Sequence, residues 1–276
     1  QTINIGSAAN DGTGSTLRAA FDITNDNFTE LYDGSGGLLH KIEGTNFTGS
    51  LLVGHSTTGT LSSAENNTGV GISALDALTT GDSNVAVGNL AGSAITEGAS
   101  NILIGRATGD ALTTGSDNVA IGHFALSTED AHGKNVAIGY QALFAQNAGV
   151  DAYNIAIGYS AGNNITTGTQ NTIIGGLAGD ALTSGANNVA VGYLALSTED
   201  TNGHNVAIGR KSLYNLDAGV DAYNTAVGSS AGESMTTGIQ NVMLGGLAGD
   251  ALTSGSNNII IGYNAAASAV DVSNEV

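Results

Sequence analysis

Asn135-Val136-Ala137-Ile138-Gly139 is the stretch whose reading decides the fold. Asparagine, apolar, small, apolar, glycine is an alternation of period two, the pattern of a strand. The same pentad stands at Asn67–Gly71, Asn84–Gly88, Asn101–Gly105, Asn118–Gly122 and Asn154–Gly158. It continues at Asn171–Gly175, Asn188–Gly192, Asn205–Gly209, Asn224–Gly228, Asn241–Gly245 and Asn258–Gly262, making twelve copies. The step is 17 residues, except for 19 from 135 to 154 and from 205 to 224. A 70-residue period overlies it, since Ala125–Asp130 and Ala195–Asp200 both read ALSTED. Self-similarity at such a period marks a repeat architecture, in which a strand too short to bury a face alone pairs with its equivalents above and below. The expected fold is therefore all-β: a parallel β-solenoid of about twelve coils, about 55 Å long at about 4.8 Å per coil.

Within each pentad, Val136 and Ile138, like Val206 and Ile208, are expected to point inward, with the middle residue outward. That middle residue is Ala in most coils but Leu103, Ile173, Met243 and Ile260 in others. On an outward face these four would be trimer contacts. The rest of the coil is also in register. A small residue follows the pentad glycine by three (Ala91, Ala142, Ala178, Ala248), and in many coils a large one follows it by seven (Leu78, Leu112, Leu182, Leu252). A second glycine after Thr/Ser turns a corner, as in Thr113-Thr114-Gly115, and positive φ is the expected reason. Stacked asparagines are expected to form an amide ladder.

Composition narrows the function. There are 42 Gly without a three-residue period, which excludes collagen, and the 41% hydrophobic content recurring in register argues against disorder. A net charge of −18 with only six Lys and Arg excludes a phosphate-binding surface and so a nucleic-acid partner. No run of 18 apolar residues points to membrane insertion. Cysteine is absent, which leaves the redox compartment open.

The pentads NVAIG and NIAIG followed by a small-residue stretch resemble the head repeats of YadA-like trimeric adhesins. The 17-residue form NxAIGxxAGxxxTTGxx is similar to repeats of tail-fibre proteins from marine and cyanobacterial phages. The resemblance covers about 66–267. Near the start, Ile3–Gly6, Asn10–Gly14, Leu17–Phe21, Asn25–Phe28 and Glu30–Tyr32 are similar to a short amino-terminal module of T4-like phage structural proteins. The resemblance implies a left-handed β-roll assembled as a homotrimer on a virion surface. Its amino terminus would join a baseplate or tail protein, and its sides or tip would meet a host-cell surface glycan or protein. It also implies a bacterial autotransporter head as an alternative.

Four segments are expected: an attachment and trimerisation module over 1–37, a connector with one short strand over 38–66, the solenoid over 67–267 and a tail over 268–276. An amphipathic helix over 15–32 would present Leu17, Phe21, Phe28 and Leu31 to sister chains, because a lone helix of that length is marginal in water.

Catalytic residues, cofactors and metals are not expected. The adjacent pairs Glu129–Asp130 and Glu199–Asp200, and Asp110, Asp180 and Asp250, repeat with the coil, whereas catalysis needs a unique constellation. They read as solvated corners or turn caps. A polysaccharide-cleaving tailspike is the rival enzyme reading. The five histidines share no spacing, and His123 aligns with Tyr193 and Tyr263 at 70-residue steps. The column just after the pentad glycine carries Arg106, His123, Tyr140, Tyr159, Tyr193, Arg210 and Tyr263. Such side chains suit either a trimer interface or stacking against sugar rings.

Overall fold

A three-residue strand has no stability of its own, and the chain answers by giving every one except the last a neighbour on both sides. The computed structural model describes residues 40–44, 47–53, 61–199 and 201–276, and these are all-β. The expected helix over 15–32, with Leu17, Phe21, Phe28 and Leu31, lies outside the described residues. The strands form one 15-stranded sheet. It begins with a hairpin, β1 (His40–Gly44) antiparallel to β2 (Phe47–Val53). β3 (Ala64–Glu65) pairs with β2, and so does β4 (Thr68–Val70), both in parallel. From β5 (Val85–Val87) to β15 (Ile259–Ile261) each strand is parallel to the next in strict register, so Ala137 faces Ala120 on one side and Ala156 on the other. This is the parallel β-solenoid that the repeat predicts.

The facing of the strands is opposite to expectation. The middle residue of each pentad is buried, and its two apolar neighbours point out. Ala137 and Ala207 are fully buried, whereas Val136, Ile138 and Val206 are half-exposed and Ile208 is 38% exposed. Leu103, Ile173 and Met243 are 0% exposed and Ile260 is 6% exposed, all inside the coil, so none of the four is available as a trimer contact. The reason lies in the first pentad position. Asn67, Asn84 and every later pentad asparagine are fully buried, and a strand that turns its first residue inward must turn its third inward too. An amide can be buried only when its hydrogen bonds are made.

They are made between coils. Asn84 N donates to Asn67 Oδ1 at 2.9 Å, Asn171 N to Asn154 Oδ1 at 2.9 Å, and Asn258 N to Asn241 Oδ1 at 3.0 Å. In most coils the amide nitrogen donates onward to a carbonyl 14 residues later, as Asn171 Nδ2 does to Gly185 O at 2.9 Å, whereas Asn135 and Asn205 donate back to Gly133 O and Gly203 O. The ladder extends past the pentads. Ser50 Oγ accepts from Asn67 N at 2.7 Å, and Glu275 N donates to Asn258 Oδ1 at 3.0 Å. Coil-like pairing thus runs from within 38–66 to within 268–276, beyond the boundaries drawn from the pentads.

The remaining interior is filled by the small residue at plus three and the large one at plus seven, such as Ala178 and Leu182, both fully buried. Glycine has two separate roles. Gly139 has φ +135°, and a Cβ there would sit 2.2 Å from Gly158 O. The second glycine of a coil does not need positive φ, contrary to expectation. At Gly98 a Cβ would lie 2.4 Å from Gly115 O, so close stacking of backbones is what demands it. Corners are turned largely by other residues in the left-handed region, for example Gln141 (φ 52°), Leu143 (φ 49°) and Tyr153 (φ 53°).

Candidate functional site: an apolar strip, an aromatic ladder and two buried carboxylates

Turning the pentad asparagine inward places two columns of branched apolar side chains on the outer face of the sheet. One contains Ile102, Val136, Ile155, Val206 and Ile259, interrupted by Thr68, Thr172 and Thr225; the other contains Ile104, Ile138, Ile174, Ile208 and Leu244. Each member is half-exposed or exposed. Two columns, about 7 Å apart and about 55 Å long, make an apolar strip on the order of 500 Å², at the upper end of what a monomeric protein presents.

Past the pentad glycine the chain turns, and the next column borders this strip. The structure brings four of the expected residues together in consecutive coils. Arg106 Nη1 and His123 Nε2 are 2.8 Å apart. The His123 ring meets Tyr140 edge-on at 5.6 Å, and Tyr140 stacks on Tyr159 at 5.2 Å and 12°. His123 also stacks on Phe124 at 4.0 Å, with the Arg106 guanidinium over the Phe124 ring. The ladder stops at Gly176, above which lies the edge of the Tyr193 ring. Tyr263 lies in the same way against Gly246, 70 residues on. Arg210 is exposed beside Tyr193 without joining a ring stack. Tyr159, Tyr193 and Tyr263 are exposed, so the column offers flat ring faces along the rod.

A second aromatic column was not foreseen. Tyr153 and Tyr223 precede a pentad asparagine at the ends of the two 19-residue coils, and both are exposed. Lys134 Nζ sits over the Tyr153 ring at 5.3 Å and pairs with Asp151. In the next 70-residue block, His204 stacks on Tyr223 at 4.7 Å and approaches Asp221 at 3.8 Å. The two-residue excess of these coils was the available signal. It pushes Val150 and Val220 into solvent on projecting loops.

The acidic pairs are the second correction. Glu129 and Glu199 are not solvated: both are 0% exposed. They occupy the plus-seven position, where neighbouring coils carry Leu112 and Leu182, so a carboxylate replaces a core leucine. Burial raises the pKa of both. Glu199 is fully partnered, accepting from Asn202 Nδ2 at 3.1 Å and, weakly, from Ala218 N at 3.5 Å. Glu129 Oε1 accepts from His132 N at 3.2 Å, but Oε2 has no hydrogen-bond partner. The recurring aspartates are simpler. Asp110 accepts from Ser127 Oγ and Asp180 from Ser197 Oγ, one coil on, as structural links between corners.

No family model, curated protein or solved structure matches this chain.

Proposed function

We propose that the chain is the structural shaft of a homotrimeric extracellular fibre, of the phage tail-fibre type, whose sides contribute to binding a host-cell surface glycan or protein. The observation that carries this reading is the apolar strip: one column of Val, Ile and Leu, and beside it one of Val and Ile interrupted by Thr68, Thr172 and Thr225, along the outer face of the sheet. Such a strip is costly in water and costs nothing when three copies turn it toward a common axis. The tyrosine ladder at its border would then lie at the rim of the interface. There, large rings with a polar tip serve both sister chains and sugar faces. A smooth, acidic rod with little charge of the opposite sign suits a spacer that must not stick to nucleic acid or anionic membrane.

In this reading the protein is not an enzyme. Glu129 and Glu199 stand four coils apart, about 19 Å at about 4.8 Å per coil. Paired glycosidase carboxylates stand about 5–10 Å apart. The near pair Glu129 and Asp130 has one carboxylate buried inside the coil and the other in solvent, so the two do not flank an open cleft. Release of reducing ends from host polysaccharide, abolished by Glu129→Gln or Glu199→Gln, would overturn this part.

The assembly is tested by light scattering at micromolar concentration. The expected mass is three times the 27.2 kDa of one chain. Ile138→Asp with Ile208→Asp should reduce it to one, because two charges would enter the apolar strip. A wild-type mass of 27.2 kDa, or a trimer indifferent to both aspartates, would defeat the proposal.

A further inference from the structure

The two 70-residue blocks place a glutamate inside the same column but treat it differently. In the second block Asn202 donates its amide to Glu199, and both carboxylate oxygens have partners within the protein. In the first block His132 occupies the equivalent position. Its Nδ1 is buried and has no hydrogen-bond partner, and neither has Glu129 Oε2. Two orphaned buried polar groups side by side are costly, about 1–3 kcal/mol each; Gln146, at the glutamate's position in the next coil, has both ends of its amide partnered. The Ala148 amide favours the charged form of Glu129 only slightly and does not reach bonding geometry.

The spacing between the imidazole and the partnered oxygen of the same carboxylate fits an ion shared by the two side chains. His132 Nδ1 lies 3.8 Å from Glu129 Oε1, too far for a hydrogen bond. It is close to the separation, about 3.4 Å, of two ligands each about 2.1 Å from one tetrahedral zinc ion. A third donor is present. One carboxylate oxygen of Glu129, one of Asp130 and a ring nitrogen of His132 all lie within 4.8 Å of one another. Asp130 is exposed, so an ion has an entry path from solvent, and a water can complete the shell.

We propose that Glu129, Asp130 and His132 bind a divalent transition-metal ion of the zinc class, one per chain, which pins this corner of the coil. An imidazole with two carboxylates favours zinc, cobalt or nickel over calcium, which takes six to eight oxygens. The second block provides the control, because Glu199, Asp200 and Asn202 keep the carboxylates and lack the imidazole.

The experiment is a titration of the full chain with zinc chloride, read by a competing chelating dye and by metal analysis after dialysis. Wild type should retain one equivalent per chain. His132→Asn, which copies the second block and so preserves the fold, should lose it, with affinity falling at least about 100-fold. Asn202→His should raise the count to two. Cobalt bound to wild type should show the intense visible absorption of a tetrahedral site, lost in H132N. No zinc uptake by wild type, an equivalent that survives H132N, or a preference for calcium would overturn the proposal.

Discussion

The coil from Asn135 and the coil from Asn171 have the same backbone and distribute their core volume in opposite ways. The first has Ala137 at the strand centre and Leu143 at the corner four residues past the pentad glycine; the second has Ile173 and Gly179. A Cβ on Gly179 would already lie 3.0 Å from Ile173 Cδ1 and 2.9 Å from Leu182 Cδ1. Leu103 with Gly109, and Met243 with Gly249, repeat the second arrangement; Ala207 with Leu213 repeats the first. Where both positions are small, as at Ala226 and Gly232, Leu213 and Met243 reach in from the coils on either side. Neither position is fixed in size; the volume is exchanged within a coil and between stacked coils. Interiors packed to crystal density enforce that kind of exchange.

This comparison can be broken most severely by removing volume. Ile173→Ala should cost about 2–5 kcal/mol in thermal or denaturant unfolding. Adding Gly179→Leu to it should return most of that loss. Leu143 and Leu213 already hold the left-handed conformation at this position, with φ 49° each. Gly179→Leu alone should destabilise by about 1–3 kcal/mol through overpacking. Additive costs in the double variant would refute volume exchange.

A second variant asks whether the polar part of the interior is as tolerant. Asn171→Ala leaves the Asn188 amide and the Gly185 carbonyl without partners. The loss should be about 2–4 kcal/mol. Asn241→Ala, 70 residues on, should cost about the same, since Asn241 makes the equivalent bonds to Asn258 and Gly255 and adds only a weak contact to Met235 Sδ at 3.8 Å. A loss below about 1 kcal/mol at either would show that the ladder follows the stacking of coils without sustaining it.

The smallest effect concerns the plus-seven column, Leu182 in one coil and Glu199 in the next. Burial raises the Glu199 pKa above its unfolded value. The folded chain therefore holds that proton more tightly, and the associated stability is present below the unfolded pKa and lost as pH rises through the folded one. Glu199→Gln removes the dependence. Its melting temperature relative to wild type should rise between pH 4 and pH 7, measured with a chelator present. A constant difference across that range would refute a destabilising buried charge.

Periodicity carried the fold, because strand pairing between coils needs only the returning pentad, and the two 19-residue steps keep it in register. It did not carry the facing. Val-Ala-Ile alternates whichever side is the core, and the habit of burying the larger residues gave the wrong side. The deciding residue was the asparagine. Its invariant place before the strand fits a buried hydrogen-bonding rung, and two positions later the side chain must point the same way. Likewise Glu129 and Glu199 looked like surface pairs when grouped with Asp130 and Asp200. Counted seven residues from Gly122 and Gly192, they fall in the leucine column. The Tyr140–Tyr159 stack was legible because a column in sequence is a column in space. The cluster at His132 was not, since it depends on a side chain lacking a partner.

The stacking of coils also sets how the rod responds to force. Every bond between coils, from the asparagine ladder to the strand pairs, lies along the axis, so tension applied to the two ends of one chain loads a single rung at a time. An isolated chain should unspool rather than snap. Each 17-residue coil would release about 50–55 Å, its extended length less the rise it gives up. The two 19-residue coils would release about 7 Å more, leaving two longer steps in an otherwise even staircase of extension.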